Sequence, residues 1–600
     1  MNNPFEFKNP DAIPPEDIID LFVPVFGEYY NIPLVGHTFI NGARGSGKSM
    51  MFRYMMPDCQ RLVDENGKKL EIPRPITELE YFSIFLPIKK GHLNKTDILL
   101  KDNNGDAVLN EHFMVSHFSL IMFDELSKLR VEDNEENLSK LKVFYNEVFV
   151  EELIFCGFDE ENVIKVDESK SICEIFESIL KTLKSINRHF QKEYLNKLIN
   201  TQDAIPYNGC ILSYNDFLTE IIKEFRQLPF MPNDKPIFLL IDDADELSIL
   251  QRKILNSWVA IRSTEVISLK ISTQLKYKIF STISGSRIDT PHDYSEINMN
   301  DIYTTKKDLY YNRVKAVVEK RLRRYNDSEA ILAEDFFQED VKQKEKIDKL
   351  FKELELQQIE LGKDKSQAYD YAYRYTTPNY ITNLGGNRSS YSYSGFKQLV
   401  NISTGIMREF IDFSSDMFEE ASMLNPNEKV KFINSSIQND KIRSYSERRV
   451  VYEFDKYKEE GDNKMDMDKL RNLIHSMGEL FKMILVSNQS ERRVFSIALN
   501  NEPSDELKNI LDLGVSTGYL QKSMIGNKEG TGRARLYILN RALSPFFGLD
   551  PSSFAGYKFM NSETLEIALR DKKVFLNSFK RLIGSDDDSN FQTKLKFDEE

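Results

Sequence analysis

The stretch Gly42-Ala43-Arg44-Gly45-Ser46-Gly47-Lys48-Ser49 confines this chain to a small set of folds. It satisfies every fixed position of G-x-x-x-x-G-K-[ST], a loop that works only where a buried strand runs into a helix. Both flanks meet that condition. Leu34–Ile40 closes a short apolar run, and Ser49–Met56 reads as the following helix. A strand, glycine-rich turn and helix in that order aim backbone N–H groups and the positive end of the helix dipole at a polyphosphate. Lys48 is expected to reach the β- and γ-phosphates, and the Ser49 hydroxyl to coordinate Mg²⁺. The backbone from Gly42 through Ala43, Arg44, Gly45, Ser46, Gly47, Lys48 and Ser49 to Met50 is expected to enclose the nucleotide.

The 600 residues exceed what one core can hold, and about three or four structural units are expected. A net charge of −14 argues against a protein that coats nucleic acid by bulk charge and leaves room for a local basic surface. Cys59, Cys156, Cys173 and Cys210 are scattered without metal-ligand or disulfide-framework spacing, which points to reduced thiols. The acidic, proline-containing start has no secretion-signal pattern, and no apolar run reaches bilayer length. A cytoplasmic protein without membrane contact is the expectation.

Beyond the loop, Tyr81–Ile88 reads as a second core strand and Glu111–Leu129 as an amphipathic helix on the sheet. Residues 131–234 are charged and predominantly helical, more chain than a compact core of this kind requires. Pro236–Ile241 then delivers Asp242 and Asp243 to the carboxyl edge of a parallel strand, where open α/β sheets place their ligands. Asp242 is expected to hold Mg²⁺ through water and Asp243 to polarise the attacking water. Val266–Ile271 is a further strand ending in Ser272-Thr273-Gln274. Ser272 and Thr273 either sit beside the γ-phosphate or begin a turn. Ser295–Met299 can complete a five-stranded sheet. In Lys306–Arg324, Val314, Val317, Val318 and Leu322 share one helical face, and basic residues share another, which fits a solvated surface. Thr376–Ser394 is turn-rich and reads as a boundary.

This order of parts, with LLIDDADEL after the phosphate loop and Ser403-Thr404-Gly405-Ile406-Met407-Arg408 downstream, resembles an AAA+ ATPase of the origin-recognition/Cdc-type (ORC-CDC) branch. The resemblance implies an α/β P-loop NTPase core, a parallel sheet with flanking helices and a helical insertion, followed by a helical lid and a C-terminal winged-helix domain. It implies ATP and Mg²⁺ as cofactors. Arg408 would act as the lid's γ-phosphate sensor, and Arg287 as an arginine finger reaching a neighbouring subunit. The expected divisions are an extension over 1–33, the ATPase core over 34–300 with its insertion at 131–234, and a basic helix and charged arm over 301–392. The lid follows over 393–468, the winged helix over 469–555 and a tail over 556–600.

The C-terminal pattern supports the resemblance. Helix (470–486), strand (493–499), helix (505–513, stopped by Gly514) and a hairpin through 526–532 make a winged helix. Lys522, Lys528, Arg533, Arg535 and Arg541 gather there. In a DNA-binding winged helix such residues contact phosphates without reading sequence. Winged helices also dock proteins, and both partners stay open on sequence alone.

Two departures matter. Asp243 stands where AAA+ enzymes usually carry Glu, which points to slow hydrolysis and is common in the related STAND ATPases. The insertion is also atypical of initiators. The expected function is therefore an ATP-binding, ATP-hydrolysing switch that assembles with itself or a partner subunit and binds DNA. The alternative is a STAND-like signalling or defence sensor whose winged helix and insertion bind protein.

Overall fold

The computed structural model describes residues 3–592 apart from 7–8, 25–26, 89–102, 130, 168–169, 196–206, 263, 275–276, 300–306, 328, 385–390, 461–463, 488–490, 527–532, 553–555 and 584–590. The chain divides into two compact units, Lys8–Met299 and Met1–Phe7 with Asn300–Glu600. Among the described residues no helix is long and apolar enough to cross a membrane.

The Lys8–Met299 unit is built on β1 (Thr38–Asn41), β2 (Phe82–Pro87), β3 (Ile237–Asp242), β4 (Ile267–Thr273) and β5 (Ser295–Asn298). They form one sheet in the order β2-β3-β4-β1-β5, every pairing parallel. All residues of β3 and β4 are buried, as a parallel sheet covered on both faces requires. Because β4 lies between β1 and β3, its tip stands between the phosphate loop and the acidic pair.

The helix after the loop, α1 (Lys48–Tyr54), is shorter than the expected Ser49–Met56. Pro57 follows, and the residue before a proline is pushed out of the helical region. Met56 is accordingly extended, with ψ 149.

The amphipathic helix expected at 111–129 is α2 (Asn103–Ser127). The insertion, including α3 (Ile172–Arg188), packs into the same core as the sheet. Leu141, Phe149, Ile179 and Phe217 join Phe118, Ile84, Leu239 and Ile271 in one hydrophobic cluster. One cation sits inside this unit without having been anticipated. Lys270 is fully buried on β4, and its Nζ donates to Leu34 O (2.6 Å) and Gly36 O (2.8 Å). Burial pushes its ammonium down to about 7.

The other unit begins at the N-terminus, where sequence suggested only an extension. Phe5 is fully buried against Phe336 and Phe337, with ring centroids 5.9 and 5.7 Å away. In α4 (Lys307–Tyr325) the expected face of Val314, Val317, Val318 and Leu322 is buried. Next, α5 (Val341–Glu360) and α6 (Lys365–Asn383) form a helical pair across a turn at Gly362.

The helix α6 runs through Thr376–Asn383, which sequence assigned to a turn-rich boundary. Pro378 is tolerated inside it because tertiary contacts hold the segment. Arg492 donates to Asn379 Oδ1 (2.5 Å) and Thr382 Oγ1 (2.8 Å).

The remainder contains α7 (Met407–Leu424), α8 (Lys464–Leu485), β6 (Val494–Leu499), α9 (Asp505–Ser516), β7 (Leu520–Gly526) and β8 (Arg533–Leu539). From α8 onward the order helix, strand, helix, hairpin is the one expected of a winged helix. Gly514 does not stop α9. A Cβ there would stand 2.8 Å from Leu520 Cδ1, so this glycine permits a close approach inside the helix. The chain turns instead at Gly518, with φ +79. Residues expected as a tail add to the same sheet. β9 (Gly556–Met560) pairs parallel with β6, and β10 (Phe591–Gln592) pairs with β9, giving the order β10-β9-β6-β8-β7.

Candidate nucleotide-binding site

The loop from Gly42 to Gly47 leaves β1 and turns into α1 with Gly45 and Gly47 at positive φ, +85 and +103, a backbone most side chains resist. Gly42 is required for a different reason. A Cβ on it would lie 2.7 Å from Ser46 Oγ and 3.2 Å from Met299 Cβ. The loop is tied to the neighbouring strand by Gly42 N–H donating to Thr273 O (3.1 Å).

Lys48 is buried, with 5% exposure. Its Nζ donates to Gly42 O (2.8 Å) and Ala43 O (3.2 Å). Burial lowers its pKa, and Asp242, Asp243 and Asp245 oppose that shift. A buried ammonium held by its own loop's carbonyls is set to exchange them for phosphate oxygens.

A cleft of about 280 Å³ opens at this edge, lined by Asn9, Arg44, Ser49, Phe85, Pro87, Ile88, Asp242, Asp243, Glu246 and Gln274. Ser49 and Asp242 thus share one cleft. One hydroxyl and one or two carboxylates suit Mg²⁺, which completes its shell with water and phosphate oxygens. The residues present fit a nucleotide–Mg²⁺ complex.

Ser272 and Thr273 are fully buried and act one layer behind the cleft. Ser272 Oγ donates to Asp242 Oδ1 and accepts from Asp243 N–H (3.0 Å). Thr273 Oγ1 donates to Asn41 Oδ1. Both positions follow from β4 being sandwiched between β1 and β3. Gln274, the first residue beyond the strand, reaches the cleft wall, and its N–H donates to Asp245 Oδ1 (2.9 Å). Glu246 and Asn9 also line the cleft without having been anticipated. The polar strand tip was the available signal for Gln274; Asn9 had none.

Asp243 is left-handed, with φ +56, a region that Asp and Asn enter far more readily than most residues. The local backbone thus favours Asp over the usual Glu. Burial pushes its carboxyl up to about 6, with Asp242 adding to the shift and Lys48 opposing it. The carboxylate is therefore available as a base above pH 6 and is lost as pH falls through that value. The folded state binds this proton more tightly than the unfolded chain, so the group lowers stability as pH rises from about 4 to about 6. Asp243→Asn is accordingly expected to abolish turnover while raising the thermal midpoint above pH 6, with no such rise at pH 4. Melting curves and phosphate release across pH check both halves. An unchanged midpoint at pH 7 together with retained turnover would remove the assigned role.

Arg287 lies outside the cleft lining. Its side chain is 75% exposed and sits 3.4 Å from Asp289. In the other unit, Arg408 occupies the first turn of α7, half-buried, 3.9 Å from Asp412.

On the hairpin, β7–β8 register sets Lys522 opposite Tyr537, Met524 opposite Arg535 and Gly526 opposite Arg533. Lys522, Arg533 and Arg535 therefore share one face, together with the exposed Met524. Arg535 pairs with Glu502 at 2.8 Å. Lys528 falls outside the described residues. Arg541, grouped with these by sequence, is buried with its guanidinium 5.2 Å from the Phe495 ring centroid, and so does not belong to the surface cluster.

A parallel sheet that carries a phosphate loop on β1 and an acidic pair on β3 defines a P-loop ATPase of the AAA+ class. The sequence pattern of the ORC-CDC6-like family matches residues 3–559, and the chain belongs to that family. No curated protein matches the sequence. Among solved structures, Cdc6p from Pyrobaculum aerophilum aligns over 96% of this chain and 99% of its own at 10% identity, with a TM-score of 0.26.

Proposed function

We propose that this protein is a slow ATP-driven switch that assembles with a second copy or a partner subunit and grips duplex DNA with the β7–β8 hairpin. The observation that carries the reading is the cleft, where Ser49, Asp242 and Asp243 converge, with the buried Lys48 ammonium close enough to Asp242 and Asp243 to feel their charge. When bound, Mg²⁺ supplies neutralisation of the charge on the phosphate oxygens. Lys48 binds those oxygens, Asp242 and Ser49 hold the metal, and Asp243 takes up the proton of the attacking water. Its short side chain, which holds the water less closely than a Glu would, supports slow turnover. The exposure of Arg287 suits an arginine that acts on a neighbouring subunit's nucleotide, and Arg408 suits a sensor in the lid.

The shared face of Lys522, Arg533 and Arg535 supports phosphate contact by the hairpin. The test is fluorescence anisotropy of labelled duplex DNA with ATP, with ADP and with neither, in a salt series. Binding is expected to need ATP and to weaken steeply with salt. Arg533→Glu with Arg535→Glu is expected to lower the slope of log affinity against log salt by about 2. Absence of DNA binding in every nucleotide state would reassign the hairpin to protein docking and favour the sensor reading.

A further inference from the structure

The helix α3 and its continuation His189–Leu195 divide sharply by face. Ile175, Ile179, Leu183, Ile186 and Phe190 are buried in the core. On the opposite side Lys181, Lys184, Ser185, Arg188, His189 and Lys192 line an open groove of about 590 Å³. Steps of three and four residues stack Lys181, Lys184, Arg188 and Lys192 above one another on one helix face. At 1.5 Å per residue the α-helical part from Lys181 to Arg188 rises about 10 Å, and the π-helical turn that begins at His189 carries Lys192 further along.

Lys181 pairs with Glu177 at 3.3 Å. Lys184, Arg188 and Lys192 have no acidic partner among the described residues. The helix dipole favours cations only in the last turn, which leaves Lys184 unaccounted for. Lys184/Arg188 and Arg188/Lys192 are moreover like charges four residues apart, a spacing that destabilises a helix. Elsewhere the insertion exposes acids at Glu135, Glu136, Glu147 and Glu151, and its other exposed lysines, such as Lys140, Lys165 and Lys223, are dispersed along the chain, whose net charge is −14. Positive charge concentrated on one rigid face, and left uncompensated by the chain itself, is complementary to a regular array of anions. Duplex DNA offers about one phosphate per 1.7 Å of axis, so the stripe spans several.

We infer that this stripe is a second contact for the phosphate backbone of duplex DNA, on the insertion rather than the hairpin. The inference rests on the DNA-binding reading above and extends it. Backbone contacts of this kind add affinity and orientation without reading sequence.

The experiment compares the full-length protein with the variant Lys184→Gln/Arg188→Gln/Lys192→Gln, binding labelled duplex DNA with ATP across a salt series. All three positions are exposed, and the thermal midpoint serves as the folding control. The salt slope is expected to become shallower by about 3, with ATP turnover in the absence of DNA unchanged. If the hairpin variant alters the slope and the stripe variant does not, the stripe assignment is overturned and the hairpin reading stands. A changed slope in the stripe variant alone supports the stripe and removes the hairpin. Failure of the unmodified protein to bind DNA in any nucleotide state overturns both. If the stripe variant keeps its DNA affinity and loses binding to a polyglutamate peptide, the surface docks an acidic protein and the nucleic-acid assignment fails.

Discussion

Lys48→Ala is expected to lower ATP affinity by about 10²- to 10⁴-fold with the fold intact. The ammonium is the one cation buried within the phosphate loop, and its hydrogen bonds go to Gly42 O and Ala43 O. Two charge-assisted bonds to phosphate at about 1.5–3 kcal/mol each convert to that range at about 1.4 kcal/mol per tenfold. Global stability should move little, because losing the loop bonds is offset by removing a cation that burial disfavours. The variant should also raise the Asp243 carboxyl further, since Lys48 is the group that pulls it down. Titration calorimetry with ATP checks the affinity, and a melting curve without nucleotide checks the fold. Affinity retained within threefold would mean that Lys48 does not meet the phosphates.

Arg449→Met is expected to destabilise the protein by about 3–5 kcal/mol, because it strands a buried carboxylate. Glu409, next to Arg408 on α7, forms an ion pair with Arg449, and both are buried. Burial pushes the Glu409 carboxyl up and Arg449 counters it; the guanidinium beside the carboxylate is itself held firmly in its charged form.

The pair is the centre of a wider polar junction between the start of α7 and the hairpin. Asn540, which follows β8, reaches Glu409 Oε1 (3.4 Å) and donates to Gly518 O (2.8 Å). Tyr519 OH donates to Arg449 O (2.9 Å). Thr404, two residues before α7 begins its approach at Ile406, is held by the same side. Its hydroxyl donates to Asn540 Oδ1 (2.8 Å), and Gln521 of β7 donates to its carbonyl (2.8 Å). Thr404 has φ +55, an outlier for a β-branched residue that persists only where surrounding contacts over-determine it.

The double variant Glu409→Leu/Arg449→Met removes both charges and is expected to recover most of the loss. Urea unfolding of the full chain measures each variant. A single-variant cost below about 1 kcal/mol would mean that the pair is effectively solvated.

Features carried by contiguous residues were legible in the chain. The phosphate loop, the apolar strand delivering Asp242 and Asp243, the buried face of α4, and the helix, strand, helix, hairpin order near the C-terminus all read directly from pattern. Each depends on local chemistry: a glycine that must take positive φ, an apolar run that must be buried, a period that matches a helix. What depended on distant neighbours did not read through. Gly514 looked like a helix stop, but Leu520 packs where its side chain would be. Thr376–Asn383 looked like part of a turn-rich boundary, but Arg492 holds it as helix around Pro378. Arg541 counted as a surface cation, although the Phe495 ring covers it. Residues 556–560 looked like the start of a tail until β6 supplied a partner edge.

The same division runs through the site. Sequence by itself determined that a polyphosphate loop and an acidic pair exist, because both are short motifs whose spacing is their chemistry. Only the tertiary structure decided that β4 lies between their strands. That order buries Ser272 and Thr273 as supports and sends Gln274 to the cleft, because strand order is set by which apolar faces can pack together and not by residues adjacent in the chain.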